Sequence, residues 1–217
     1  MATETQPLPV PNELPIRAST PASGGRRLES LSVELRCLRP AFGNLTGLIT
    51  DFLRAFPVQE NCNARSDADR LLWWLESHFS LNNRQRDCVA LLRSRHCVER
   101  LLISNAARVQ QFEGLSDQWR VGVSVHLNPA RTWSRLLTDE FTDCELGCSP
   151  CNALFFARSG EIATATFGLE NQVLLNELAE FQPCTVETWS AHSSIGGIEQ
   201  LKSLCQELGA MRLVAFA

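Results

Sequence analysis
The chain has 217 residues, enough for one sizeable domain or two small ones, each with a buried core. A net charge of -4 and a pI near 5.6 exclude a broad basic footprint of the kind a nucleic-acid duplex demands, and leave room only for a local basic patch. No run of eighteen apolar residues reads as a membrane span.

The start, MATETQPLPVPNELP, has no basic and no apolar signal region, and the nine cysteines are odd in number. The expectation is a cytoplasmic protein with reduced thiols rather than a disulfide framework. Residues 1–27 carry five prolines and the pair Gly24-Gly25, and read as a disordered leader. From Leu28 the spacing turns helical through Leu31, Val33, Leu35 and Leu38 up to Pro40. Ala41–Phe56 continues with Leu45, Leu48, Ile49, Phe52 and Leu53, and Pro57 ends it. Ser66-Asp67-Ala68-Asp69 offers an N-cap and early acidic residues to a helix over Leu71–Phe79. Asn82 or Asn83 caps a longer helix through Val89, Leu92, Val98 and Leu102, and Ala106–Phe112 forms a shorter one. Residues 28–114 therefore read as a helical bundle domain.

A soft boundary at Gly114–Arg120 leads into a second domain over 120–217. Val121–Leu127 (VGVSVHL) alternates like a half-buried strand, and Pro129 stops it. Trp133, Leu136 and Leu137 mark a short connecting helix. Asn152–Arg158 (NALFFAR) and Glu161–Phe167 (EIATATF) read as two strands joined by Ser159-Gly160. Leu169–Phe181 is helical, with Val173, Leu174, Leu178 and Phe181 on one side, before Pro183. Thr185–Ala191 and Ile198–Leu208 follow as helices on either side of Gly196-Gly197, and Met211–Phe216 is a last strand. The fold class is thus α+β. A helical N-terminal domain precedes a winged-helix-like domain of a three-stranded antiparallel sheet and three helices. Modules of that order bind something extended, either a duplex or a peptide.

Three groups of residues compete for the chemistry. Cys144, Cys148 and Cys151 (CELGCSPC) have the C-x3-C-x2-C spacing of the radical S-adenosylmethionine cluster loop, but too little chain follows Cys151 for the barrel that chemistry needs. A zinc site with Cys184, Cys62 or His126 as fourth ligand is chemically more reasonable, and free thiols in a turn are the default. Leu81–Leu102 superficially resembles the opening of a LuxR-type helix-turn-helix, with Arg84, Arg86, Arg93, Arg95 and Arg100 as phosphate contacts. A solvated helix face explains the same arginines. His78, His96, His126 and His192 stand far apart, and His96 beside Cys97 reads as a lone solvated histidine, since adjacent helical residues point apart. No catalytic set, phosphate loop or dinucleotide fingerprint emerges.

VGVSVHL, NALFFAR and EIATATF, followed by GLENQVLLNELAEF, TVETWSAHS and GIEQLKSLCQEL, resemble the peptide-recognition domains of ribosomal-peptide natural-product biosynthesis. A helical half joined to such a module is similar to the partner proteins of multinuclear non-haem iron oxygenases. The resemblance covers about half the chain, from Val121 onward. It implies a non-catalytic subunit in a heterodimer with an iron-dependent oxygenase, the iron belonging to the enzyme and no cofactor to this chain. It implies that a precursor leader peptide adds as a strand along Glu161, Ile162, Ala163, Thr164, Ala165, Thr166 and Phe167. Its side chains would then enter a groove against the third helix, at Ile198, Leu201, Lys202, Cys205 and Leu208. Strand addition suits that edge, because backbone hydrogen bonds make no sequence demand and Ala163 and Ala165 let another backbone approach. The alternative from another class is a helix-turn-helix transcriptional regulator, and a weaker third is a small metal-binding redox protein.

Overall fold
The structure is a computed structural model that describes residues 24–56, 64–138 and 151–217. It is α+β, with eight α-helices, a short 3-10 turn and two antiparallel three-stranded sheets among the described residues. In chain order these are α1 (Gly24–Glu34), α2 (Leu45–Ala55), α3 (Ala64–His78), α4 (Asn83–Ser104), α5 (Ala106–Glu113), β1 (Ser124–Leu127), β2 (Arg131–Leu136), β3 (Cys151–Arg158), β4 (Glu161–Thr166), α6 (Leu169–Phe181), β5 (Cys184–Thr185), α7 (Val186–His192), α8 (Ile198–Ala210) and β6 (Val214–Phe216). No described helix is long and apolar enough to cross a membrane.

The helical half starts earlier than its apolar spacing suggests. Arg27 lies inside α1, buried, with its guanidinium forked onto the Asp67 carboxylate and Nη1 donating to the Phe56 carbonyl at 2.9 Å. Asp67 and Asp69 sit within α3 and are used across helices instead of as caps. Asp67 binds Arg27 of α1, and Asp69 accepts from His96 Nδ1 of α4 at 2.7 Å. His96 is consequently buried at 2 % exposure and not solvated, with Nε2 3.3 Å from Glu34 Oε1 on its other side. Of the two asparagines expected as the cap, Asn82 caps α4, in a reciprocal box with Gln85.

The two sheets have the orders β2-β3-β4 and β5-β1-β6. This corrects the expected single sheet. Its first strand is β2, across the residues expected to form a connecting helix, while β1 pairs with β5 and β6 in the other sheet. The Trp133/Leu136 spacing fits a helix, but in a strand it sends the two side chains to opposite faces, and both faces here are covered. Leu136 is buried against Val98 of α4, while Trp133 packs on the C-terminal core. Val121 and Val123 fall outside β1 because Gly122, at φ 82°, makes a turn there. Val121 is left 78 % exposed.

The sheet β2-β3-β4 is a shared wall. Ala153 and Phe155 of β3 face Val98 and Val109 of α4 and α5, and Leu154 and Phe156 face the core built by α6, α7 and α8. Asp87 of α4 is buried and ties the end of β2 to this helix, accepting from the Leu137 and Thr138 N–H groups at 2.7 Å each and from Thr138 Oγ1 at 2.6 Å. Asn128 joins the sheets to each other. Its amide donates to the Ala157 carbonyl at 2.7 Å and accepts from Ala130 N–H at 2.9 Å. On α6, Leu174 and Leu178 are buried as expected, but Leu175 completes the inner face, while Val173 and Phe181 are each 41 % exposed.

Candidate functional site
The β3–β4 hairpin turns through Ser159 (φ 49°) and Gly160 (φ 83°), the positive pair of a type I′ turn, which matches the twist of the strands it joins. The register runs from Arg158 opposite Glu161 to Ala153 opposite Thr166. Hydrogen-bonded and non-hydrogen-bonded pairs alternate away from a two-residue turn. Glu161, Ala163 and Ala165 therefore direct N–H and C=O toward β3, and Ile162 and Thr164 direct theirs away from it. Among the described residues β4 is an edge strand, paired only with β3. Thr164 is exposed at its middle. Unpaired strand edges are templates for a further strand.

The side chains divide by face. Ala163, Ala165 and Phe167 pack on the C-terminal core, with Phe167 edge-on to Trp133 at 6.1 Å, and Ile162 packs toward α4. On α8 the residues expected along a groove do not stand together at the surface. Leu201, Cys205 and Leu208 are each 0 % exposed and belong to the core. Ile198 is 37 % exposed at the helix start, and Lys202 Nζ donates to Glu199 Oε1 at 2.7 Å. Burial pushes the Cys205 thiol up to about 12, with Cys184 nearby adding to it, so both are core thiols and not nucleophiles.

The other candidates are also placed. Cys144, Cys148 and Cys62 lie outside the described residues. Cys151 opens β3 on its α4 side, whereas Cys184 is buried in the C-terminal core, so the sheet separates these two. His126 bonds Ser124 Oγ at 3.0 Å, and burial lowers its pKa. No group of three or more metal-ligating side chains converges among the described residues. His78 and His192 each bond a carbonyl one turn back in their own helices, Trp74 O at 3.1 Å and Thr188 O at 2.8 Å. The Leu81–Leu102 segment contains no turn between two helices, because 83–104 is one continuous α4. Arg93 pairs with Glu76 and Arg100 lies 3.5 Å from Asp69, while Arg84, Arg86 and Arg95 are exposed.

Sequence reasoning missed Arg131. It opens β2 beside a cavity of about 280 Å³ that also touches Trp133 and Leu175, and its neighbours in sequence give no pattern that marks it. The chain matches no protein-family model, and no curated protein or solved structure is found similar to it.

Proposed function
We propose that the chain is a non-catalytic partner subunit, which takes the leader of a ribosomally made precursor peptide as an added strand on β4 and presents it to an iron-dependent oxygenase in a heterodimer. The observation that supports this best is the β4 edge, with the backbone groups of Ile162 and Thr164 turned outward and only β3 on its inner side. The run from β2 to α8 adds support. It holds a three-stranded antiparallel sheet and then three helices, with the short β5 of the other sheet between the first two, an order similar to that of winged-helix-like peptide-recognition modules. Iron and oxygen chemistry belong to the enzyme in this reading, and this chain supplies grip and position. Each backbone hydrogen bond gained along the edge contributes about 1 kcal/mol net, so recognition also needs side chains seated beside the strand.

The edge geometry makes a clean experiment. Proline is tolerated on an edge strand where the lost N–H faces outward. Thr164→Pro therefore keeps the β3–β4 ladder, whereas Ala165→Pro removes an inward donor and breaks it. The probe is the fluorescently labelled leader of a short precursor encoded beside this chain's gene, followed by anisotropy. Thr164→Pro should weaken binding at least about tenfold, or ~1.4 kcal/mol, with thermal unfolding unchanged. A folded Thr164→Pro variant that binds leader like the wild type rules out the β4 edge.

A further inference from the structure
Arg131 is the first residue of β2, the edge of the sheet opposite β4. Arg131 stands opposite Phe156 and Trp133 opposite Leu154, so these side chains share the sheet face that looks toward α6. Leu175 and Ala179 of α6 form the far wall of the cavity there, and Leu127 of β1 and Leu101 of α4 close its ends. At about 280 Å³ it falls just below the usual range of ligand pockets, roughly 300 to 1,000 Å³, and so fits only a compact ligand. The walls are apolar apart from a few groups, and one of those is a cation.

That cation has no counter-ion among the described residues. Arg131 Nη1 donates to the Asn128 carbonyl at 2.6 Å, and no acidic side chain among the described residues pairs with it. Arg27, which is buried, is treated differently from half-buried Arg131, since it is forked onto the Asp67 carboxylate. Partial burial lowers the Arg131 pKa to about 10, because desolvation disfavours the charged guanidinium. A half-buried cation lining an apolar slot is complementary to an anion with an apolar body, and a planar guanidinium is best matched by a carboxylate.

We propose that the cavity between β2, α4 and α6 binds a compact organic carboxylate, with its carboxylate on Arg131 and its apolar body between Trp133 and Leu175. The site is independent of the β4 edge and stands or falls separately from it. Two sources share this chemistry, a free small acid and the C-terminal residue of a peptide.

Isothermal titration of the full chain with 3-phenylpropionate and with its uncharged amide tests the match. The acid should bind and the amide should bind at least about tenfold more weakly. Arg131→Gln should lose the same factor while its thermal midpoint is kept or raised. Ala179→Phe, at an exposed position on α6, should block the slot and gives a second reading if Arg131→Gln does not fold. Gly-Gly-Phe with a free terminus, compared with its amidated form, separates the sources. Tighter binding than 3-phenylpropionate assigns a peptide terminus, and weaker binding assigns a free acid. Equal affinity for acid and amide, full affinity in both folded variants, or no binding of the acid at about 10 mM overturns the proposal.

Discussion
The helical half and the C-terminal core of this molecule are held by different chemistry. Among α1, α3 and α4 the buried contacts include polar groups with fixed geometry: Arg27 on Asp67, and His96 between Asp69 and Glu34. Around α7 and α8 the buried side chains are apolar to the centre, where Trp189, Leu201, Cys205 and Leu208 are all 0 % exposed. Directional pairs say which helix lies against which and add little net stability, because desolvation offsets much of the attraction. Apolar burial stabilises in proportion to area and leaves direction to shape. The sheet β2-β3-β4 lies between the two regimes, which keeps β4 fixed by packing on both faces, with β3 as its strand partner among the described residues.

The sharpest way to break this comparison is at Trp189. Trp189→Ala empties the middle of the apolar core and should cost about 3–5 kcal/mol, read from urea unfolding at neutral pH. A loss below about 1 kcal/mol would mean that the core collapses around the gap, and that its apolar packing is not what specifies it.

Asp67 probes the other half. Asp67→Ala takes the forked carboxylate from the buried Arg27 charge, and should cost about 3 kcal/mol. The double variant Arg27→Met/Asp67→Leu removes both charges and should recover most of that loss. If the double variant is as unstable as the single one, the pair contributes real stability, and the two halves are less different than argued above.

A smaller effect separates them by pH. The Cys205 thiol is raised from 9.0 to about 12, first by burial and then by nearby Cys184. Above pH 9 the unfolded thiol ionises while the folded one keeps its proton, so the unfolded state binds fewer protons and stability falls as pH rises from 9 toward 12. The loss reaches about 1.4 kcal/mol by pH 10. Cys205→Ala should flatten this alkaline slope relative to the wild type, whatever its own cost at pH 7. Parallel slopes for the two proteins would remove the assignment to Cys205.

How far the sequence spoke for itself follows the same division. The β3–β4 hairpin, α6, α8 and the Asn82 cap are local: alternation, turn residues and capping boxes lie within a few positions of one another. What was illegible depends on distant partners. Alternation over β1 shows a strand, but not that its neighbours are β5 and β6. Asp67 is a first-turn acid of α3 as its sequence suggests, but nothing local shows that Asp67 and Asp69 bind Arg27 and His96. The strand and its turn were readable in EIATATF, and the outward backbone of β4 follows from the turn and the register. The burial of Leu201, Cys205 and Leu208 was not, because an apolar helix face looks the same whether it lines a groove or fills a core.

The smallest predicted effect lies where a charge meets the rim of the apolar core. Glu177 of α6 accepts from Ser193 Oγ at 2.8 Å, Ser194 N–H at 3.1 Å and Ser194 Oγ at 2.6 Å, and so holds the segment between α7 and α8 against α6. Burial alone would raise its pKa, but the hydrogen bonds from Ser194 and Ser193 outweigh it and hold the carboxyl below its ordinary value of 4.5. With a folded pKa below the unfolded one, the contribution is fully present above pH 4.5 and is lost as pH falls through the folded value. Glu177→Gln places an amide against donors and should cost about 0.5 kcal/mol at pH 7, less than a buried bond because solvent screens the group. Its unfolding curve should converge on the wild type in acid. A penalty of several kcal/mol, as large as that of Asp67, would put a structural charge inside the region argued to be apolar. No difference at any pH would instead make the serine contacts incidental, with the loop held by Gly196 packed between Leu174 and Leu201.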